Sequence, residues 1–437
     1  ILAVSSTFLK EGLQGVVGDP FGAAFCLIFV ALFLAAPYYR LKLMTVGDFY
    51  KKRYNRTVEL ASAAAISISY LGWSSANLVA LGIVIHTVSG NTITLEQGIV
   101  LGAVIVGIYT LFGGMWSVAF TDLFQTVIIV AGLIYIAWML AGMAGGVDKV
   151  VATAQASDRL KFFPGASLHD WLGFIAAFVT MALGSVAQQD VFQRVTSART
   201  EKIARQGTLL GGSLYLLMAF IPMFIAVSAL LIDPAMVKQM LSNENDFQQV
   251  LPTLILQRTP LFAQVLFFGA LLSAILSTAS GTLLAPTAVI TENVIQPLWG
   301  HKLSDRKMLV LLRLILIGFT CCVTLFALQS ESSMYQMVQD AYKVTLVAAF
   351  TPLVFGMFWR RATPQGALLS MACGVVAWQY AEHFMSDALV PPQLVGLGSA
   401  IVGMIVGSLA PTLMGGQGHP EIVDQARQPE VADNPPA

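Results

Sequence analysis

Hydroxyl groups recur along one face of the apolar run between residues 260 and 291. Ser273, Ser277 and Ser280 fall at i, i+4 and i+7, with Thr278 beside Ser277. Neutral oxygens of this kind suit a hard cation such as a dehydrated sodium ion, and carbonyls of a broken neighbouring helix could complete the shell. The same spacing has a structural reading, because Ser and Thr in membrane helices bond their own i−4 carbonyl or let a neighbouring helix come close. Spacing alone leaves both open.

A charge near a bilayer centre costs about 2.5 to 3.5 kcal/mol on insertion scales and persists in bundle interiors or water-filled paths. Few residues pass that filter. Gln188, Gln189 and Asp190 precede Arg194 by about a turn, which suits either an inner vestibule or a helix end where Asp190 is solvated or paired to Arg194 at i+4. Asp340 and Lys343 stand at i, i+3, as an internal ion pair or with Lys343 directed at an anionic solute group. Ser67, Ser69, Tyr70, Trp73, Ser74, Ser75 and Asn77 form a polar seam in an otherwise apolar stretch. The histidines are scattered and no Cys or His pairing has metal-ligand spacing. Enzymatic function is therefore not expected.

The elements that position these residues follow from composition. The chain has 437 residues, 56% hydrophobic and 11% charged, with a net charge of zero and a mean hydropathy of +0.74. Soluble domains carry about 25% charged residues, so this is read as a polytopic helical membrane protein, with the lipid bilayer as a partner and no basic surface for nucleic acid. Cys26, Cys321, Cys322 and Cys373 lie in apolar runs and read as packing residues. A span needs roughly 20 apolar residues. Such runs cover about 21 to 39, 57 to 88, 95 to 112, 118 to 144, 169 to 192, 207 to 232, 260 to 291, 306 to 328, 334 to 358, 364 to 386 and 393 to 414.

Ile1 to Leu9 is too short to span and lacks the flanks of a secretory signal. It reads as a partial first helix. The predicted set is then eleven complete helices plus this partial one, a transmembrane unit over 1–414 and a disordered cytoplasmic tail over 415–437. Lys and Arg accumulate in cytoplasmic loops. Arg40, Lys42, Lys51, Lys52, Arg53 and Arg56, then Arg194, Arg199, Lys202 and Arg205, then Lys302, Arg306 and Lys307, then Arg360 and Arg361 mark that side. In the external loop 233–260, Phe247, Val250, Leu251, Leu254 and Ile255 form an amphipathic stripe, either packed on the bundle or serving as a lid.

Along essentially its whole length the sequence resembles bacterial members of the sodium/solute symporter family. The marks are Thr45-Val46-Gly47-Asp48 with Arg53, then Tyr109-Thr110-Leu111-Phe112-Gly113-Gly114 with Thr121, Asp122 and Gln125, then Gln188 with Arg194, Ser277-Thr278, and Pro352 with Trp359-Arg360-Arg361. The paired glycines suit a tight turn between the fourth and fifth helices. The resemblance implies a LeuT-type inverted repeat, in which helices one to five and six to ten are related by a pseudo-two-fold axis. It also implies a sodium site with Ala274 contributing its carbonyl and Ser277 and Thr278 their hydroxyls, the ligands from the first helix preceding Ile1. The nearest candidates for solute contact are Trp73, Met181, Ser185, Gln188 and Thr345. Met181 and Ser185 stand where some relatives carry aromatic residues, which sets this chain apart from proline and sugar carriers.

The expected activity is sodium-coupled import of a small polar organic solute across the bacterial cytoplasmic membrane, with no obligate protein partner evident. A solute sensor and a proton-coupled carrier using Asp122, Asp190 or Asp340 are the alternatives.

Overall fold

In a computed structural model, residues 1–242, 247–299, 304–385, 388–410 and 419–427 are described, with the backbone alone for 113–122 and 299. Among them every regular element is helical: α1 Leu2–Gly15, α2 Val17–Leu41, α3 Val46–Arg53, α4 Arg56–Val88, α5 Leu95–Ala144, α6 Val147–Ala156, α7 Leu168–Gly184, α8 Gln189–Thr196, α9 Glu201–Ile232, α10 Pro234–Leu241, α11 Val250–Arg258, α12 Leu261–Val289, α13 Asp305–Gln329, α14 Met334–Phe358, α15 Pro364–Phe384, α16 Pro392–Leu409 and α17 Glu421–Arg427.

Among the described residues, ten stretches are long and apolar enough to cross a bilayer. The eleven complete spans predicted from the sequence differ from this in one place. The run 364 to 386 is helical as α15, but Gln365 at one end and Gln379, Glu382 and His383 at the other dilute its apolar stretch. The turn expected at Gly113-Gly114 also differs, because the backbone is helical from Leu95 through Ala144. Glycine lowers helix propensity without removing a hydrogen bond, and no proline interrupts this segment. The flanking parts keep separate partners, Gly107 against Thr320 and Gly132 against Leu266 and Ala270. The side chains of Thr121 and Asp122 lie outside the described residues.

The 33 residues of α4 reach about 50 Å at 1.5 Å per residue, which exceeds a hydrocarbon core of about 30 Å. Its polar seam is used for contacts inside the bundle. Ser74 Oγ donates to Thr282 O of α12 at 3.1 Å, and Ser75 Oγ donates to Val323 O of α13 at 2.9 Å. The helix thus crosses the centre and ties two neighbours by their backbones.

Two charged segments depart from their surface reading. Arg53, counted among the cytoplasmic charges, is fully buried and donates to Gly356 O, Trp359 O and Arg360 O at 2.9, 3.1 and 3.3 Å. It welds α3 to the carboxyl-terminal end of α14. The tail is not disordered over Glu421–Arg427, where α17 buries Ile422, Val423 and Ala426. Arg40 Nη1 donates to Ala426 O and Arg427 O at 3.1 and 3.0 Å, Arg360 pairs with Asp424, and Arg427 donates to Phe358 O. Three apolar side chains in a short charged helix suffice to seat it on α2 and α14. Residues 411–418 and 428–437 lie outside the described residues.

The amphipathic stripe Phe247, Val250, Leu251, Leu254 and Ile255 is buried against the bundle, with the Lys10 ammonium 5.3 Å from the Phe247 ring centroid.

Candidate functional site

A cavity of about 890 Å³ opens in the bundle between α1, α2, α4, α7, α8, α9, α12 and α14. The break in α2 that shapes its wall has a sequence cause. Asp19 adopts an extended conformation (φ −129°, ψ 115°) before Pro20, and a proline cannot continue the hydrogen bonding of the turn before it. Gly18 and Gly22 let this break lie directly on α7, since a Cβ on Gly18 would stand 2.9 Å from Met181 Cγ and one on Gly22 2.8 Å from Phe178 O. Asp19 is thereby carried to the cavity beside Met181.

Of the five solute candidates read from the sequence, Trp73, Met181 and Ser185 line the cavity. Trp73 stacks on Tyr70 at 5.8 Å and meets Tyr342 at 5.6 Å between ring centroids. The Ser185 hydroxyl is turned inward, donating to Met181 O at 2.5 Å. Gln188 and Thr345 are elsewhere. Both are buried, and they bond each other: Gln188 Nε2 donates to Thr345 Oγ1 at 3.3 Å and to Ser69 Oγ at 3.0 Å, while Thr345 Oγ1 donates to Gly184 O at 2.8 Å. They pin the end of α7 to α4 and α14 from outside the cavity. Gln189, read with Gln188 as lining an inner vestibule or lying at a helix end, accepts from Val46 N at 2.8 Å and donates to Met44 O at 3.2 Å.

Of the sodium candidates on α12, Ala274 and Thr278 reach the cavity. Thr278 Oγ1 donates to Ala274 O at 2.9 Å. This bond joins two of the expected ligands without exhausting either. A hydroxyl that donates its proton keeps its lone pairs, and a carbonyl oxygen has a second lone pair. Ser277 is partly buried one residue along the same helix.

Sequence reasoning missed several groups on this cavity. Asp19, Tyr215 and Tyr342 all line it. The Tyr215 hydroxyl donates to Asp19 Oδ1, and Asp19 N donates to Tyr335 Oη at 3.2 Å. An available signal was the single acidic residue in Gly18-Asp19-Pro20, since it opens an apolar run. Asp190, read as a helix-end residue, is 3% exposed and lines the cavity. It pairs with Arg194 at 3.3 Å as expected, and it also accepts from the Tyr70 hydroxyl at 2.6 Å.

Lys343 is shared between Asp340 at 2.9 Å and Glu382 of α15 at 3.6 Å. It stands off this cavity, so the pairing found is structural.

The arrangement of a central cavity beside a polar helix face is that of a solute carrier, and the comparisons agree. The model of the Sodium:solute symporter family matches residues 2–374. The chain belongs to that family, a class of multi-pass membrane proteins whose relatives below are transporters. It is 25% identical over 359 residues to the high-affinity choline transporter 1 of Torpedo marmorata, covering 81% of this chain and 61% of that protein. It is 26% identical over 355 residues to the high-affinity proline transporter of Bacillus subtilis (strain 168), covering 79% and 72%. The fold is the LeuT type. The structure matches the substrate-bound outward-open state of a Na+-coupled sialic acid symporter with TM-score 0.70, at 18% identity, over 94% of this chain and 89% of that one. It matches a complex of MhsT with L-phenylalanine with TM-score 0.51, at 14% identity, over 93% and 97%.

Proposed function

We propose that this protein is a sodium-coupled symporter that imports a small polar organic solute by alternating access. The observation that carries the reading is the cavity itself, which brings Trp73, Met181 and Ser185 onto the same space as Ala274 and Thr278. A solute and a cation held on facing walls of one space can stabilise the same closed arrangement, and each then raises the other's affinity by the same factor. The Ala274 carbonyl and the Ser277 and Thr278 hydroxyls are the sodium ligands of this reading, supplied as neutral oxygens by a helix that also contacts α4. Gln188 and Thr345 act on the solute through position, by fixing the end of α7.

The proposed location is a bacterial cytoplasmic membrane, and the distribution of Lys and Arg supports a cytoplasmic carboxyl-terminal segment. The docking of α17 beside Arg40 and Arg360 agrees with that side. The test is uptake into proteoliposomes holding the full-length protein. An inward sodium gradient should drive accumulation of a solute, and a proton gradient of equal size should not. Accumulation driven by protons alone, or binding without accumulation, would replace this reading with a proton-coupled carrier or a sensor.

A further inference from the structure

Helices α2 and α9 run antiparallel and touch at two depths. At one end the Arg40 guanidinium holds Glu201 through two bonds of 2.8 Å. Deeper in the membrane Gly212 admits α2 so closely that a Cβ there would stand 2.9 Å from Leu27 Cβ. Between the two contacts lies a groove of about 590 Å³. Lys202, Arg205, Gln206 and Leu209 of α9 line one side of it, and Ala31 and Leu32 of α2 the other.

The chemistry of the groove changes along its length. Leu32 and Leu209 each stand eight residues from the Arg40 to Glu201 tie, about 12 Å at 1.5 Å per residue, so they reach the same depth from opposite sides. Both are exposed, at 51% and 40%, on helices that span the membrane, and they offer a surface suited to hydrocarbon. Lys202 and Arg205 lie near the tie, neighbours at i, i+3 on the helix surface and both exposed. Arg40, Arg194 and Arg360 are held by Glu201, Asp190 and Asp424. Among the described residues no carboxylate holds Lys202 or Arg205. Glu201, the acidic group on the groove, has both oxygens taken by Arg40.

The geometry points to an anionic phospholipid seated in this groove, its phosphodiester on Lys202 and Arg205 and an acyl chain against Leu32 and Leu209. A guanidinium fork matches two oxygens of one phosphate, and an ammonium beside it adds a point charge. Basic pockets between membrane helices take anionic head groups for this reason. A zwitterionic head brings its own ammonium against the same two cations, and a free phosphate has nothing to lay on the leucines. The site also backs the central cavity, because Ala204, Gly207, Thr208 and Gly211 line that cavity from the opposite face of α9. The lipid braces this cavity wall from its membrane side.

The experiment uses full-length protein in detergent, titrated with phosphatidylglycerol, with phosphatidylcholine of the same acyl chains and with glycerol 3-phosphate. It reads the melting temperature and, by native mass spectrometry, the lipid retained. Phosphatidylglycerol should half-saturate at a concentration at least about tenfold below phosphatidylcholine, the order that two basic groups confer. Lys202→Gln with Arg205→Gln should abolish that preference. Lys51→Gln with Lys52→Gln makes the same charge change on exposed residues off the groove and should keep it. Leu209→Asn should weaken phosphatidylglycerol binding with both cations in place.

Equal binding of the two lipids overturns the inference, as does a preference that survives the loss of Lys202 and Arg205. An equal loss in the Lys51 and Lys52 variant would reduce the effect to net charge, and stabilisation by glycerol 3-phosphate at the same concentration would make this a site for free phosphate. Should the double variant not fold, Arg205→Gln alone and Leu209→Asn decide. The readout is lipid binding, so failure of the symporter reading leaves this result standing.

Discussion

The Tyr70 hydroxyl meets Asp190 twice, donating to its carboxylate at 2.6 Å and accepting from its backbone amide at 3.0 Å. One side chain of α4 thus satisfies both the side chain and the backbone amide of Asp190 in the first turn of α8. Tyr70→Phe keeps the ring and its stack on Trp73 while leaving two buried groups short of a partner. We expect it to destabilise the protein by about 1 to 3 kcal/mol, read as a lower melting temperature in nanodiscs, with Asp190→Asn recovering part of the loss. An unchanged melting temperature would mean that water replaces the hydroxyl.

Ser277→Ala removes one hydroxyl with little change in volume, and Thr278→Ala removes a hydroxyl together with a methyl group. In full-length protein both should raise the sodium concentration for half-maximal uptake, and the double variant should lose sodium dependence while expressing normally. Because Thr278 donates to Ala274 O, Thr278→Ser, which keeps that donor, should respond like the wild type. Normally folded single variants with a wild-type sodium response would leave these hydroxyls as packing groups.

Asp340 and Lys343 behave as less than an isolated pair, because Glu382 offers Lys343 a second carboxylate. Asp340→Asn should therefore cost under about 1 kcal/mol, as exposed pairs do, whereas Lys343→Met leaves two acidic groups facing each other and should reduce folded protein more. Fluorescence-detected gel filtration ranks the two. Equal losses would contradict the shared arrangement.

Asp233 at the carboxyl-terminal end of α9 accepts from Arg258 and from Met236 N, which hold its carboxyl below the ordinary value of 3.8. A carboxyl depressed in the folded state contributes stability at pH above its ordinary value and loses it as the pH falls through the depressed one. The gap in melting temperature between wild type and Asp233→Asn should be complete at neutral pH and close below about pH 4. A constant gap down to pH 3 would refute the pairing.

Topology is checked by cysteine labelling. Lys51, Arg199, Lys307 and Arg361 are exposed and expected inside, so cysteines there should resist an impermeant maleimide in intact cells and react in inverted vesicles. Arg53 is unsuitable for this test, since nothing at that position reaches water.

Apolar runs and the oxygen face of α12 could be read from sequence because both depend on local periodicity. Gln188 and Thr345 show where that stops. Their types and depth suit a cavity, yet whether they face it or each other depends on how closely Gly184 approaches α14, and no local pattern encodes that distance. Arg53 sits in a run with Lys51 and Lys52, so charge counting placed all three in solvent, although one guanidinium can cap three carbonyls at the end of α14. Asp19 was hidden by its neighbours. Gly-Asp-Pro punctuates loops far more often than it opens a cavity.

Arg40 holds Glu201 of α9 through two bonds of 2.8 Å and the last carbonyls of α17 through another two. Three segments far apart in the chain meet on one guanidinium. Separation of the ends of α2 and α9 that meet at Arg40 would therefore loosen the seat of α17. A fluorophore on the exposed Gln425 would report each such separation, giving a real-time optical record of turnover without a labelled solute.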